Sequence, residues 1–271
     1  MNRIFKIAFI FSTAALMHSA FAAQTNMFYV GLSAGAVNQI QQYNNYDYFT
    51  GTTNPGATLT YNYTKLFNNS VSSPSFVGTA MLGYSEHVKK KFNLDYEFDV
   101  SSNAGTTAET DNMQSPLSYS TVAMQEYTAQ TTVNFPYTFD FVVKPALHIT
   151  KKLSGYIKGG ASYANMNTIF TLTKNNSMLP EQFSVTNGNI NMNIWGYVVG
   201  TGLEFAVTKR FSVFSEYNFH QYSSTTLKGV TITDNGTATG TSGVTNNTTI
   251  NYYRIILPYF SSINFGVHYY F

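Results

Sequence analysis

Few residues in this sequence have the chemistry to act on anything. The acids that draw notice are Asp95, Glu97, Asp99, Asp140, Glu204 and Glu216; the bases are Lys144, Lys158 and Arg254, with His87, His148, His220 and His268 beside them. Nucleophilic catalysis needs a nucleophile, a base and an orienting group within hydrogen-bond reach. His220 with Ser223 is the nearest candidate, but a spacing of three puts the two on opposite faces of a strand. Glu216 and His220 do share a face, and no serine joins them at even spacing nearby. The histidines lie on different segments without the close spacing of a metal site. Catalysis, a metal and a cofactor are therefore not expected. What these acids and bases can do is pair with one another, because charges taken out of water demand partners. They read as an internal ion-pair network, or as the lining of a narrow ion pathway if water enters among them.

Such a network needs elements that aim every second side chain inward. Residues 92–99 (FNLDYEFD) alternate strictly, with large apolar side chains at even positions and polar ones at odd. A strand sends successive side chains to opposite faces, so this one is greasy on one side and charged on the other. Residues 211–219 (FSVFSEYNF) follow much the same rule. From Val133 to Ile149 the odd positions are apolar throughout, a run long for a soluble strand but suited to a tilted strand crossing a bilayer.

The composition points the same way. Of 271 residues only 10% are charged and 16% are aromatic, whereas soluble domains carry about 25% charged residues. That excludes an ordinary cytosolic enzyme, and the aromatic content excludes disorder. A net charge of +2 offers nothing for phosphate-backbone binding, so no nucleic-acid partner is expected. Residues 1–22 read as a cleaved secretory signal: Arg3 and Lys6 lead an apolar run that ends at Ala20-Phe21-Ala22. Residues 23–271 are then a single domain without cysteine.

A repeat organises that domain. Lys89-Lys90-Lys91, Thr150-Lys151-Lys152 and Thr208-Lys209-Arg210 each precede a strand. Polar stretches at about 39–74, 101–128, 174–189 and 224–250 separate the units. Short turns at one end and long loops at the other is the asymmetry of barrels that cross the outer membrane. The expected fold is all-β, an up-and-down antiparallel transmembrane barrel of eight strands. Ten strands are the alternative, if residues 61–63 or 118–128 add a hairpin. The last strand alternates back from the terminus, with Phe271, Tyr269, Val267, Phe265 and Ile263 on one face.

The hairpin Gly83-Tyr84…Leu94-Asp95-Tyr96, the glycine-rich strands at Gly159-Gly160 and Gly200-Thr201-Gly202, the Phe211…Glu216-Tyr217 strand and terminal Phe271 resemble small outer-membrane barrels. The type is that of the OmpA transmembrane domain and the opacity proteins. The peptidoglycan-binding domain of full-length OmpA is expected to be absent. The resemblance implies a bacterial outer-membrane location, with the bilayer and its glycolipid as surroundings. It also implies assembly machinery that reads residues 263–271, and loops that meet host surfaces or phage. The implied role is structural and adhesin-like. A small, weakly selective pore is the first alternative, and a barrel enzyme acting on lipid or surface polypeptide the second. Tyr84, Tyr96, Trp195, Tyr217, Tyr269 and Phe271 are expected in aromatic girdles at the membrane interfaces.

Overall fold

The computed structural model describes residues 26–53, 57–61, 68–114, 126–175, 183–237 and 245–271. Those residues form strands and turns, with no helix among them. The strands are β1 (Met27–Thr53), β2 (Ala57–Tyr61), β3 (Asn68–Lys89), β4 (Phe92–Asn103), β5 (Thr106–Gln114), β6 (Glu126–His148), β7 (Leu153–Asn175), β8 (Phe183–Ala206), β9 (Phe211–Tyr222), β10 (Thr225–Thr237) and β11 (Thr245–Tyr270).

Pairing is antiparallel throughout, and the sheet closes because β1 pairs with β3 on one side and β11 on the other. β5 continues the line of β4 along β6, and β10 continues the line of β9 along β11. β2 pairs only with the far end of β1. The barrel therefore has eight staves in up-and-down order. Of the segments weighed as an extra hairpin, residues 62–63 and 118–125 lie outside the described residues, and residues 126–128 belong to β6.

Around the short-turn half of the barrel closure pairs each stave on both sides, whereas β2, β5 and β10 beyond it pair on one side only. The last amide of the chain, Phe271 N–H, donates to Phe28 O at 3.0 Å beside the Tyr29–Tyr270 pair. The three basic turns sit together at this end. In two of them the threonine builds the turn: Thr150 Oγ1 accepts from the amides of Lys152 and Leu153, and Thr208 Oγ1 from that of Arg210. A side-chain oxygen accepting from backbone two or three residues on is the usual work of Ser and Thr in turns.

Two expectations change. The polar stretches at the other end are in large part strand: β1 runs to Thr53, and β5, β10 and the first halves of β3, β6, β8 and β11 prolong the wall. Threonine-rich chain is well suited to the pleat, and pairing satisfies backbone groups that a loop would leave to water. The second change concerns β6, whose odd positions do not share one face. The register slips between Asn134 and Tyr137. Before the slip Val133 and Phe135 are 0% exposed inside the barrel; after it Tyr137 and Phe141 are 54% and 61% exposed outside. Pro136, which has no amide to donate, occupies the bulge.

The outer wall is a belt of large apolar side chains, among them Phe28, Leu32, Leu82, Phe141, Ile157 and Phe265. From Leu147 to Tyr137 the belt spans eleven residues of β6, ten steps that make about 25 Å along the barrel axis at ~3.3 Å per residue and a tilt of ~40°.

Candidate functional site

Every second residue of the staves points inward, and the interior is layered. Nearest the short turns, Glu204 on β8 is held by Ser212 Oγ, by His268 Nδ1 at 3.1 Å and by Tyr270 OH at 2.6 Å. Asp95 on β4 is buried opposite Lys144 of β6 and Ser85 of β3 in the register. Asn93 donates to Ser85 Oγ, and His148 pairs with Ser154 Oγ at 2.7 Å.

The middle layer is ionic. Lys144 Nζ meets Glu97 Oε2 at 2.8 Å, and Lys158 Nζ meets Glu216 at 2.9 Å, Asp99 at 3.2 Å and Glu97 at 3.9 Å. Two tyrosines complete it: Tyr29 OH donates to Glu97 at 2.7 Å, and Tyr156 OH to Glu216 at 3.0 Å. Both rings lie against strand glycines. A Cβ at Gly83 would fall within the Tyr29 ring, and one at Gly202 would collide with that of Tyr156. Lys144 Nζ also stands 4.7 Å from the centre of the Tyr156 ring, an attraction that strengthens where water is excluded. Lysines buried in this manner can remain charged only because carboxylates surround them.

Above this, Asp140 on β6 accepts from Ser162 Oγ on β7 and pairs with His220 Nε2 on β9 at 2.9 Å; Ser162 Oγ also lies 2.8 Å from Tyr222 OH. Serine, histidine and aspartate are thus brought together, but in the wrong order for catalysis. The aspartate stands between the other two, so the histidine is not placed to take the serine proton. Ser223, weighed above with His220, is exposed.

An apolar layer follows, and beyond it along the strands Gln39, Gln41, Thr131 and Thr168 are buried as well. Val37, Val133, Phe135, Ala164, Met166, Ile194, Tyr222, Ile256 and Phe260 form one buried cluster. Its rings pack closely: Phe135 lies 5.5 Å from Phe260 and 5.9 Å from Tyr222, and His220 lies 4.9 Å from Phe260. The cavity beneath this layer, walled by Asp99, Asp140, Glu216 and His220, holds about 20 Å³, room for about one water.

Of the residues singled out in the sequence, Asp95, Glu97, Asp99, Asp140, Lys144, Lys158 and Glu216 are buried inside, and Glu204 is partly buried there. Arg254 falls on β11 opposite Asn45, two residues beyond the buried Ile256, and its side chain lies outside the described residues. Ile263, Phe265, Tyr269 and Phe271 project outward, and Val267 shares their face. Among the girdle tyrosines Tyr96, Tyr217 and Tyr269 are exposed, and Trp195 lies outward with Tyr163 at 4.9 Å. Sequence reasoning missed Tyr29, Tyr156, Tyr222 and Ser162 as interior partners, and it missed the whole apolar layer. For Tyr156, Ser162 and Tyr222 the signal available was parity, since each lies an even number of residues from Lys158 or Glu216 on its own strand; Tyr29 and the apolar residues of β6 had no such signal. Among the described residues no group of His, Asp and Glu is arranged to hold a metal.

No family model matches the chain. A protein of Coxiella burnetii described as uncharacterised is 27% identical over 169 residues, 62% of this chain and 62% of its own length. Among solved structures, the outer membrane protease OmpT of Escherichia coli covers 94% of this chain and 99% of its own at 10% identity, with a TM-score of 0.41. Neisserial surface protein A covers 90% and 97% at 12% identity and a TM-score of 0.34. Ail, the attachment invasion locus protein of Yersinia pestis, covers 84% and 97% at 13% identity and a TM-score of 0.27. At these values the likenesses carry no functional weight, and the barrel stands on this chain's own strand pairing.

Proposed function

We propose that this protein is an integral barrel of a bacterial outer membrane, closed to ions, with a structural and adhesin-like surface role. The observation that carries the proposal is the pairing of a greasy exterior with a filled interior. An apolar patch of this size on a soluble monomer would be far beyond the few hundred Å² that water tolerates. In a bilayer it is the band a spanning barrel requires, with Tyr137 and Trp195 at one border and Leu147 and Tyr269 at the other. The interior does the opposite of a porin's. Eight staves leave only enough width for side chains, and here an ionic layer and an apolar layer fill it in series.

Among the described residues the interior is filled by side chains and Asp140 separates Ser162 from His220, which supports a reading in which the loop-side end carries function, as segments on rigid scaffolds commonly do. Host surfaces, phage and outer-membrane glycolipid are its proposed contacts. The outward face of residues 263–271 is the proposed signal to the assembly machinery.

Planar-bilayer recording of the folded protein tests the closed state. No conductance steps above bare lipid are expected, and reproducible steps would replace this reading with that of a small pore.

A further inference from the structure

The short-turn end is rich in basic side chains. Lys89, Lys90 and Lys91 form the exposed β3–β4 turn, and the other two short turns add Lys151, Lys152, Lys209 and Arg210. The rim's acid is the exposed Glu86. On the outer wall of that same hairpin lies an open apolar groove of about 400 Å³, lined by Phe28, Leu82, Tyr84, Tyr96, Phe98 and Phe141. Its sides are built from ring pairs, Phe28–Tyr84 at 4.9 Å and Phe98–Phe141 at 4.7 Å. Tyr84 pairs with Tyr96 in the register, Glu86 with Leu94, and Lys89 with Phe92. The groove therefore begins four residues of β4 above the lysine turn, or about 13 Å.

We propose that this hairpin is a binding site for an anionic phospholipid of the leaflet on the short-turn side. The headgroup phosphate sits on the Lys89–Lys90–Lys91 turn, and an acyl chain lies in the Phe28–Tyr96–Phe141 groove. The proposal rests on the membrane reading above. Charge and shape agree in the occupant they require: an apolar chain leading down to a negative group about 13 Å away. Lysine heads reach such headgroups while their stems stay on apolar surface, and a basic residue near an anionic leaflet contributes about 1 kcal/mol, a factor of about five in affinity. Glu86 stands between groove and turn and opposes the headgroup.

The chain has one tryptophan, Trp195, at the far border of the belt, which makes the site readable. In a Trp195→Phe background, Tyr96→Trp places the fluorophore in the groove. The protein is reconstituted in phosphatidylcholine vesicles doped with phosphatidylglycerol or phosphatidylcholine brominated at the same acyl carbons. At equal mole fraction the phosphatidylglycerol is expected to quench with an apparent association about fivefold higher or more. Lys89→Gln/Lys90→Gln/Lys91→Gln brings that ratio to one, as does 1 M salt on the unsubstituted turn, and Glu86→Gln raises it. The native Trp195 gives a ratio near one.

A ratio of one at position 96 overturns the site. So does a preference that survives salt and the lysine substitutions, or an equal preference at Trp195, which would mean general attraction instead of a site. Absence of quenching by either lipid overturns the membrane reading itself.

Discussion

Lys158 holds the interior together, because three carboxylates face one ammonium: Glu216 at 2.9 Å, Asp99 at 3.2 Å and Glu97 at 3.9 Å. Removing the cation while keeping the acids leaves uncompensated buried charge. Lys158→Met is therefore expected to cost about 3–5 kcal/mol, measured by urea unfolding of the reconstituted barrel. Adding Asp99→Asn and Glu216→Gln to that variant is expected to restore most of the loss, since the penalty lies in the orphaned carboxylates more than in the lost attraction. An unchanged urea midpoint for Lys158→Met would mean that water already solvates these acids. The charged members of this layer were legible because a charge alternating with large apolar residues has only one sensible face in a lipid-embedded strand. The tyrosines were less legible. Tyr29 and Tyr156 donate to Glu97 and Glu216, yet an amphipathic ring is as much at home in an interfacial girdle as in a polar interior.

At the scale of elements the turns, the stave order and the closing strand follow from alternation and punctuation. β6 shows where that method stops. Its odd positions are apolar from Val133 to Leu147, but for two different reasons. Val133 and Phe135 are apolar because they seal the interior, whereas Tyr137, Phe141 and Leu147 face outward. Periodicity reports that one face is apolar and cannot report which side of the wall it is on, so the slip between Asn134 and Tyr137 leaves no trace in the pattern. The bulge can be tested by changing length against changing residue. Pro136→Ala keeps the extra residue and is expected to shift stability by less than ~1 kcal/mol. Deleting Pro136 removes the extra residue, so Phe135 stays inward, Tyr137 outward and Asp140 and Lys144 inward, and β6 alternates without a break. That variant is expected to keep the heat-dependent gel shift of a folded barrel. If the deletion loses the gel shift while the substitution keeps it, the bulge itself is required for closure and does more than absorb one residue.

For the whole molecule, the order of the layers decides what opening it would take. An ionic layer centred on Lys158 and Glu216 lies in series with an apolar layer centred on Phe135 and Phe260, and a barrel of eight staves has no width to spare around either. Seals in series fail only together. Lys158→Ala/Glu216→Ala empties part of the lower layer but leaves stacked rings above it, which water does not wet readily. Phe135→Ala/Phe260→Ala opens the upper layer but leaves charges clamped across the bore. Each pair alone is expected to stay silent in a planar bilayer, and the four substitutions combined are expected to give small steps. Each truncated ring costs about 3–5 kcal/mol, so recordings require protein first shown to be folded by its gel shift. Conductance from the ionic pair alone would mean that the apolar layer is no barrier, and the closed state would then belong to the salt bridges. Silence from the combined variant would place the seal beyond Ile256, where the prolonged staves of β1, β10 and β11 carry the wall outward.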